Sequence, residues 1–244
     1  MRYKRYLAAA LSALCLCGAV SCGSKDSSSS TDDKAEAEST APTDPSTEAE
    51  ASSEPAKASA GSLTLGERVS PAEGDEEYDL GDYYVSSSGV KLYFEPDEYP
   101  EEMVLAMERY FTAYASGDYE AYTACLYPSY IDEMNKFLEA EYQYGLDKSF
   151  DSQCESLKSN AGSAFTVTRI KLEAPETEGI ENFFEYPSSC FGKDYYAEIK
   201  DSVDKFYDAM FYIMAADENG EETLLVSDFE IVFAEKDGVF YTFG

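Results

Sequence analysis

The sequence predicts an α+β domain in which N-terminal helices pack on a curved antiparallel β-sheet, preceded by a signal peptide and a disordered linker. Apolar residues recur every three to four positions between residues 101 and 160, which is the period of a helix with one buried face. From residue 164 onward, alternating patterns predominate, and the dipeptides Asn219-Gly220 and Asp237-Gly238 mark tight turns between strands. Helices first and a strand meander afterwards is an α+β order.

Residues 1–21 have the pattern of a secretory signal peptide. Arg2, Lys4 and Arg5 give a positively charged start, and residues 7–20 are uncharged and rich in Ala and Leu. This apolar run suits a signal peptide and is shorter than the roughly 20 residues that a membrane-spanning helix needs.

A stretch of small residues, 18–21, leads directly to Cys22. It resembles the end of a bacterial lipoprotein signal, although Ala19 stands where that family usually has Leu. The resemblance implies that Cys22 receives a diacylglyceryl group, becomes the first residue and anchors the protein to the cell membrane, facing outside. The alternative is an ordinary secretory peptide cut near Ser21, with Cys22 incidental.

The segment from Cys22 to residue 77 predicts a disordered acidic linker. It consists mainly of Ser, Thr, Ala, Glu, Asp and Pro, with a run of four serines at 27–30. Such a composition buries too little apolar surface to offset the entropy lost on folding. The linker either lifts a domain away from the membrane or serves only as a solvating segment.

Residues 78–244 are predicted to form one domain that opens with a hairpin at 82–94, turning at 86–89. A helix is expected from residue 101, with Asp97 as its cap and Pro100 in its first turn. Its buried face consists of Met103, Met107, Tyr110, Phe111 and Tyr114.

Three further helices are predicted after this one. Gly117 ends the first helix and Asp118 caps a short second one that carries Tyr122, Cys125 and Leu126. Pro128 opens a third helix, which ends at Gly145, and a fourth covers 147–160. The apolar faces of these two helices consist of Ile131, Met134, Leu138 and Tyr142, and of Phe150, Cys154 and Leu157.

The remaining chain predicts a strand at 164–172, a long loop at 174–193 with a short element at 181–186, and a helix at 194–207. Three strands follow at 208–217, 221–236 and 239–243. Both intervening dipeptides suit type I′ turns, which need positive φ angles. The middle strand is long enough to require a bulge near Ser227.

The helix–Gly117-Asp118–helix step within 101–142 and the pattern 230–243, which contains Asp-Gly-Val-Phe-Tyr, resemble the NTF2-like, cystatin-related fold. The resemblance implies helices held inside a strongly curved sheet that forms a cone. Lipoproteins with such a domain have no assigned activity, so the resemblance transfers no catalytic residue. The fourth helix, the helix at 194–207 and the N-terminal hairpin depart from the simple pattern.

The charge balance excludes several functions. The chain has 49 acidic and 18 basic residues, giving a net charge of −31, and no His. Binding to nucleic acid and binding to anionic lipid through a polybasic segment both need clustered positive charge, which this chain lacks. Without His, Ser–His–Asp and Cys–His catalysis and His-containing metal sites are excluded. The acidic clusters at 97–102 and 217–222 are interpreted as solvated surface, so no metal and no cofactor are expected.

Cys125 and Cys154 lie on apolar helix faces and are expected to be buried thiols, while Cys190 is the more exposed one. A single disulfide among the three remains the alternative. The tyrosines around the second helix and near the first either fill the rim of the core or form a contact surface for sugars or peptides. These tyrosines are Tyr119, Tyr122, Tyr127 and Tyr130, and Tyr83, Tyr84 and Tyr99.

No catalytic set stands out, because with so many carboxylates some pairs lie close by chance. The sequence therefore favours a lipid-anchored, non-catalytic module of the bacterial cell envelope that binds an envelope protein, a peptide or a glycan. The alternative is a His-independent hydrolase or isomerase that uses Asp, Glu and Tyr in a cone pocket.

Overall fold

The computed structural model describes residues 62–75, 77–175 and 179–244. The predicted signal peptide, Cys22 and the linker up to residue 61 lie outside the described residues. Seven strands form one sheet in chain order: β1 (Leu65–Val69), β2 (Tyr83–Ser86), β3 (Lys91–Tyr93), β4 (Phe165–Glu173), β5 (Lys205–Asp217), β6 (Glu222–Lys236) and β7 (Val239–Thr242).

The helices are α1 (Glu101–Ser116), α2 (Tyr119–Ala124), α3 (Pro128–Tyr142), α4 (Leu146–Ala161), α5 (Ile180–Phe183), α6 (Glu185–Phe191) and α7 (Tyr195–Ile199), with 3₁₀ turns at Tyr78–Leu80 and Lys200–Ser202. The α+β class is confirmed. Among the described residues, no helix combines the length and the apolar character needed to span a bilayer.

The sheet is mixed, so the prediction of an antiparallel sheet is wrong at one position. Strands β3 and β4 are parallel, with Lys91 opposite Arg169 and Tyr93 opposite Lys171. The four helices α1–α4 lie between these strands in the chain, and a parallel pair needs such a long crossover connection. Every other neighbouring pair in this sheet is antiparallel.

The sheet also begins earlier than the predicted domain boundary at Tyr78. Strand β1 lies within the stretch assigned to the linker and pairs with β2, with Arg68 opposite Tyr84. Most of β1 is exposed, and Leu65 packs against the core. An edge strand of this kind gains its stability from backbone hydrogen bonds, so a composition poor in apolar residues does not exclude it.

The four predicted helices of the first half are confirmed, with two differences at their ends. The Asp118 carboxylate caps α2 by accepting the Ala121 N–H at 2.9 Å. Asp97 is exposed and does not cap α1, whose N-terminal flanking residue is Pro100. Helix α3 ends at Tyr142, and the next residue, Gln143, closes it with a left-handed φ of 62°, two residues before the predicted Gly145.

The region 174–207 differs most from the prediction. Instead of a loop followed by one helix, it contains the three short helices α5–α7, and β5 already begins at Lys205. Tyr196, Ile199, Val203 and Phe206 have helical spacing, which explains the prediction of a helix up to residue 207. Phe206 and Tyr207 nevertheless lie in a strand, where they point to opposite faces.

The two hairpin turns differ from each other. Asp237 and Gly238 both have positive φ, 53° and 74°, which confirms the type I′ turn. At the other dipeptide only Gly220 has positive φ, and the Asp217 carboxylate accepts the N–H groups of Asn219 and Glu221 at 2.8 Å each. Asp217 thereby stabilises a wider turn, so the type I′ prediction is wrong there.

The predicted bulge in β6 is confirmed. Phe211 lies opposite Phe229 and Ile213 opposite Val226, so β6 has one extra residue in this interval. Asp228 within it has a φ of 55°. A second irregularity follows at once, because Met214 lies opposite Leu224.

The free side of β7 is joined to the helices. The Tyr127 N–H donates to the Thr242 carbonyl at 2.9 Å, and the Thr242 N–H donates to the Cys125 carbonyl at 2.8 Å. The link between α2 and α3 therefore continues the sheet at this edge.

Candidate functional site

Aromatic side chains fill the space between α1, α2 and α4. The Phe150 ring lies 4.7 Å from the Tyr122 ring and 5.1 Å from the Tyr114 ring, measured between centroids. Tyr110 packs on both tyrosines, and the Phe111 ring of α1 contacts Phe211 of β5 at 5.0 Å. The inner face of the sheet therefore meets a packed core where the cone-pocket hypothesis required a cavity.

Alternating residues of β5 define the two faces of the sheet. Tyr207, Ala209, Phe211, Ile213 and Ala215 are buried and share the face that packs on α1. The residues between them are half-buried and lie on the opposite side, which we call the outer face. Directly opposite residues of neighbouring strands share a face, so the outer face continues onto β4 and β6.

Four carboxylic acids from three strands lie around Met210 on the outer face: Glu173, Asp208, Asp228 and Glu230, which we call the carboxyl cluster. Met210 lies at its centre, opposite both Glu173 and Glu230. The only cation directly adjoining it on these strands is Lys171, whose ammonium pairs with Glu173 at 2.8 Å.

Asp208 and Glu230 form the innermost part of the cluster. Glu230 is opposite Met210, and Asp208 is opposite Val232, so the two acids are diagonal neighbours on one face. Burial, and then the charge of Asp208 and its hydrogen bond with Glu230, raise the pKa of Glu230 to about 7. Burial also raises the pKa of Asp208, opposed by the hydrogen bond from Glu230. Burial therefore favours the protonated form of both acids.

Two tyrosines support this arrangement. The Tyr99 hydroxyl lies 3.2 Å from the carbonyl oxygens of both Glu173 and Asp208, and it can donate to either. Burial raises the pKa of Tyr99 to about 12, so the hydroxyl stays protonated. The Tyr212 hydroxyl donates to Asp228 at 2.8 Å, and this hydrogen bond is the main reason that its pKa is raised.

A shallow cleft between the start of α3, residues 198–202 and the end of β6 is the second candidate. It has a volume of about 250 Å³, with a lining of Tyr127, Pro128, Ser129, Glu198, Ile199, Ser202 and Lys236. Most of its hydroxyls are already paired, Tyr127 with Ser202 and Ser129 with Tyr195, each at 2.9 Å. Ligand pockets usually measure about 300–1,000 Å³, so the cleft is small for an organic ligand.

The cysteines and tyrosines that the sequence singled out differ in how deeply they are buried. Cys125 and Cys154 are buried free thiols and Cys190 is a partly exposed one, as predicted. Tyr99, Tyr122, Tyr127 and Tyr130 are buried and Tyr83, Tyr84 and Tyr119 half-buried, which favours a role at the rim of the core. In the described ranges, no three His, Cys, Asp or Glu residues converge in a way that could hold a metal ion.

The sequence did not single out Asp208 or Glu230, because both are single acids inside strand patterns. A search for acids at alternating positions of two strands joined by a turn signal would have found the pair. Comparison with family models, with curated proteins and with solved structures gives no match for this chain, so its function must be inferred from its own residues.

Proposed function

We propose that this protein is a lipoprotein of the bacterial cell envelope that binds a ligand or a partner protein without transforming it. The signal peptide of residues 1–21 would be removed, Cys22 would carry the lipid, and the linker would hold the folded domain outside the cell. Two or more acyl chains hold a protein firmly at a membrane, whereas one chain gives reversible binding.

The filled interior carries the non-catalytic part of this proposal. An NTF2-like enzyme would work inside the concave space, and here that space holds the rings of Tyr114, Tyr122 and Phe150. The polar groups available for recognition lie on the outer face. Binding there needs no cavity, because an extended partner can lie across a sheet face.

The NTF2-like assignment is part of the same proposal. The antiparallel strands β4–β7 follow the helices in the expected order, and Gly117 and Asp118 make the expected step between two helices. The hairpin β2–β3, its parallel join to β4 and the helices α5–α7 would be additions to that fold.

The charges of the outer face define the class of partner. Three carboxyl groups of the cluster have no lysine or arginine partner among the described residues, since only Glu173 forms an ion pair there. Such a surface repels anionic wall polymers and attracts cationic proteins or peptides. Neutral glycans are also compatible, because the carboxylates accept hydrogen bonds from hydroxyl groups.

The binding proposal is tested with a double substitution, Glu173→Gln with Asp228→Asn. We expect the whole protein to bind an oligolysine peptide or a neutral oligosaccharide, and the double variant to bind the peptide at least fivefold more weakly, because two carboxylate charges of the outer face are lost. Isothermal titration calorimetry at low and high salt measures the affinities of the unmodified protein and of the double variant.

The matched control is Glu139→Gln with Glu141→Gln on α3, which removes the same charge from another surface. Equal weakening by both double variants would show that net charge alone attracts the peptide and would reject the outer face as the site. No binding of either probe by the unmodified protein would reject the proposal itself.

The anchor has its own test. We expect Cys22→Ala to move the protein from the membrane fraction to the soluble fraction, and the acyl mass to disappear from the N-terminal peptide, because the variant lacks the thiol to which the diacylglyceryl group would be attached. Replacing Cys190 by Ala should change neither result. Membrane retention of the Cys22→Ala protein would mean that another element anchors it.

A hydrolase is the second candidate, because of one observation. Two carboxyl groups that share a proton are the arrangement with which aspartic peptidases activate water. Asp208 and Glu230, diagonal neighbours on the outer face, would share a proton in this way. Turnover of a peptide near pH 6 that Asp208→Asn abolishes would favour this candidate.

A further inference from the structure

Strand β1 ends the sheet on one side, and no other strand of the described residues pairs with its outer edge. The Ser86 N–H donates to the Val90 carbonyl at 2.9 Å, so Ser86 directs its backbone groups toward β3. Leu65 lies opposite Ser86. Arg68 lies opposite Tyr84, which is two residues before Ser86 and therefore has the same orientation. The N–H and C=O groups of Leu65 and Arg68 thus point away from the sheet, where another strand can bind them.

Exposed apolar side chains adjoin this edge. The described residues contain six large apolar side chains that are well exposed, and three of them lie at the end of β1 or in its connection to β2: Val69, Tyr78 and Leu80. We call β1 and the described residues of this connection, 70–75 and 77–82, the edge surface. Two ion pairs hold the connection against the sheet, Arg68 with Asp82 at 2.8 Å and Lys91 of β3 with Glu77.

The edge surface carries a strong excess of negative charge. Residues 62–82 contain seven acids and one base, Arg68. Arg68 and Lys91 are already bound to acids of the connection, and the next cation toward the centre of the sheet, Arg169, binds Glu222. Four exposed acids form no ion pair with a described lysine or arginine: Glu67, Glu73, Asp75 and Asp79.

We propose that the edge surface binds an extended cationic segment of a partner protein, which adds to the sheet as a further strand beside β1. Backbone hydrogen bonds give such a strand part of its affinity, and alternate side chains give its specificity. Basic side chains of the segment would lie near Glu67 and Asp79, and apolar ones would contact Val69, Tyr78 and Leu80. This is a second binding surface, and it does not depend on the carboxyl cluster.

The charges favour a cationic partner over the other two occupants of an open edge. A second copy of this chain would bring the same unpaired acids together, and like charges repel. The chain before the edge surface has the same sign, because residues 22–61 contain nine acids and three bases. The register of β1 is also irregular between Leu65 and Arg68, and such irregularities discourage the pairing of two identical edges.

A peptide in which lysine and valine alternate tests the strand addition. We expect the whole protein to bind it, and to bind a peptide of equal length and charge in which lysine and proline alternate about tenfold more weakly. Proline has no N–H to donate to β1 and does not fit a ladder. Isothermal titration calorimetry measures the two affinities. Equal affinities, or no binding of the lysine–valine peptide, would overturn the proposal.

Hydrogen exchange locates the bound peptide. We expect the amides of Leu65 and Arg68 to exchange about tenfold more slowly when the lysine–valine peptide is saturating, because their N–H groups then donate to the added strand. Amides of β5, which lies between β4 and β6, should keep their rates. Protection of the outer face of β4–β6 without protection of β1 would assign the peptide to the carboxyl cluster and overturn the edge surface as its site.

Two double variants separate the charged and the apolar contributions. Glu67→Gln with Asp79→Asn should weaken peptide binding about fivefold at low salt and less at high salt, whereas Glu139→Gln with Glu141→Gln on α3 should not. Tyr78→Ala with Leu80→Ala should weaken it at both salt concentrations, whereas Leu224→Ala, which removes an exposed apolar side chain from β6, should not. A control that weakens binding as much as its matched variant would contradict the edge surface.

The outer-face variant Glu173→Gln with Asp228→Asn keeps this result apart from the binding test of the carboxyl cluster. It should bind the lysine–valine peptide within about twofold of the unmodified protein, even if it loses affinity for oligolysine. Sedimentation of the whole protein without peptide tests the remaining occupant. We expect a monomer, and a dimer that the lysine–valine peptide dissociates would show that a second copy occupies the edge.

Discussion

Phe150→Ala should lower the free energy of unfolding by about 3–5 kcal/mol, the usual cost of removing a buried phenylalanine ring from a core. Phe150 is 1% exposed and contacts the rings of Tyr114, Tyr119 and Tyr122. Truncation would leave a cavity that three tyrosine rings cannot fill without leaving their own contacts. Urea unfolding followed by tyrosine fluorescence and circular dichroism measures the change.

Tyr78→Ala is the control, because Tyr78 is 51% exposed and should cost less than about 0.5 kcal/mol. The cavity variant has a second use. Dry apolar cavities bind small apolar molecules, so Phe150→Ala should gain thermal stability from benzene or a similar probe, and the unmodified protein should not. Stabilisation of both proteins would contradict the filled interior on which the proposed function rests.

Glu108→Ala should cost about 3 kcal/mol, since it removes the acceptor of a buried hydrogen-bond group together with side-chain volume. Glu108 on α1 is 0% exposed. Its Oε1 accepts from the Ser86 hydroxyl at 2.9 Å and from Ser88, which ties the β2–β3 turn to the helix. Thermal or urea unfolding at pH 7 measures the loss.

Glu108→Gln separates the hydrogen bonds from the charge. It keeps an acceptor oxygen, and we expect a change within about 1 kcal/mol at pH 7. Burial raises the pKa of Glu108, so its contribution to stability is present at low pH and declines as the pH rises through the folded pKa. The glutamine variant should therefore show a flatter decline. A steeper decline, or a loss as large as that of alanine, would contradict this account.

The helices of the first half were predictable because local signals agree with the packing. Asp118, Gly117 and Pro128 mark boundaries through their own backbone chemistry, and the apolar period gives the buried face. The region 174–207 was not predictable, because the spacing of Tyr196, Ile199 and Phe206 fits a helix even though Phe206 belongs to a strand. The contact between Phe206 and Phe184 favours the strand over the helix at this position.

The carboxyl pair depends on a register that no local signal specifies. Ala216 lies opposite Glu222, and an uninterrupted ladder from there would place Asp208 directly opposite Glu230. One bulge alone would put the two acids on opposite faces, because a shift of one residue reverses every side chain. The two irregularities of β6 together return them to the same face as diagonal neighbours.

The parallel join between β3 and β4 affects how the molecule responds to tension. Lys91 and Arg169 pair although 78 positions separate them. Closing the loop between β3 and β4 therefore costs about 4 kcal/mol of chain entropy, which the backbone hydrogen bonds between these strands must offset. Force that arrives through the chain before residue 65 loads β1 first, at the sheet edge, and then β2. Strands β1, β2 and β3 would separate from the sheet one after another, while β4–β7 and their helices stay folded.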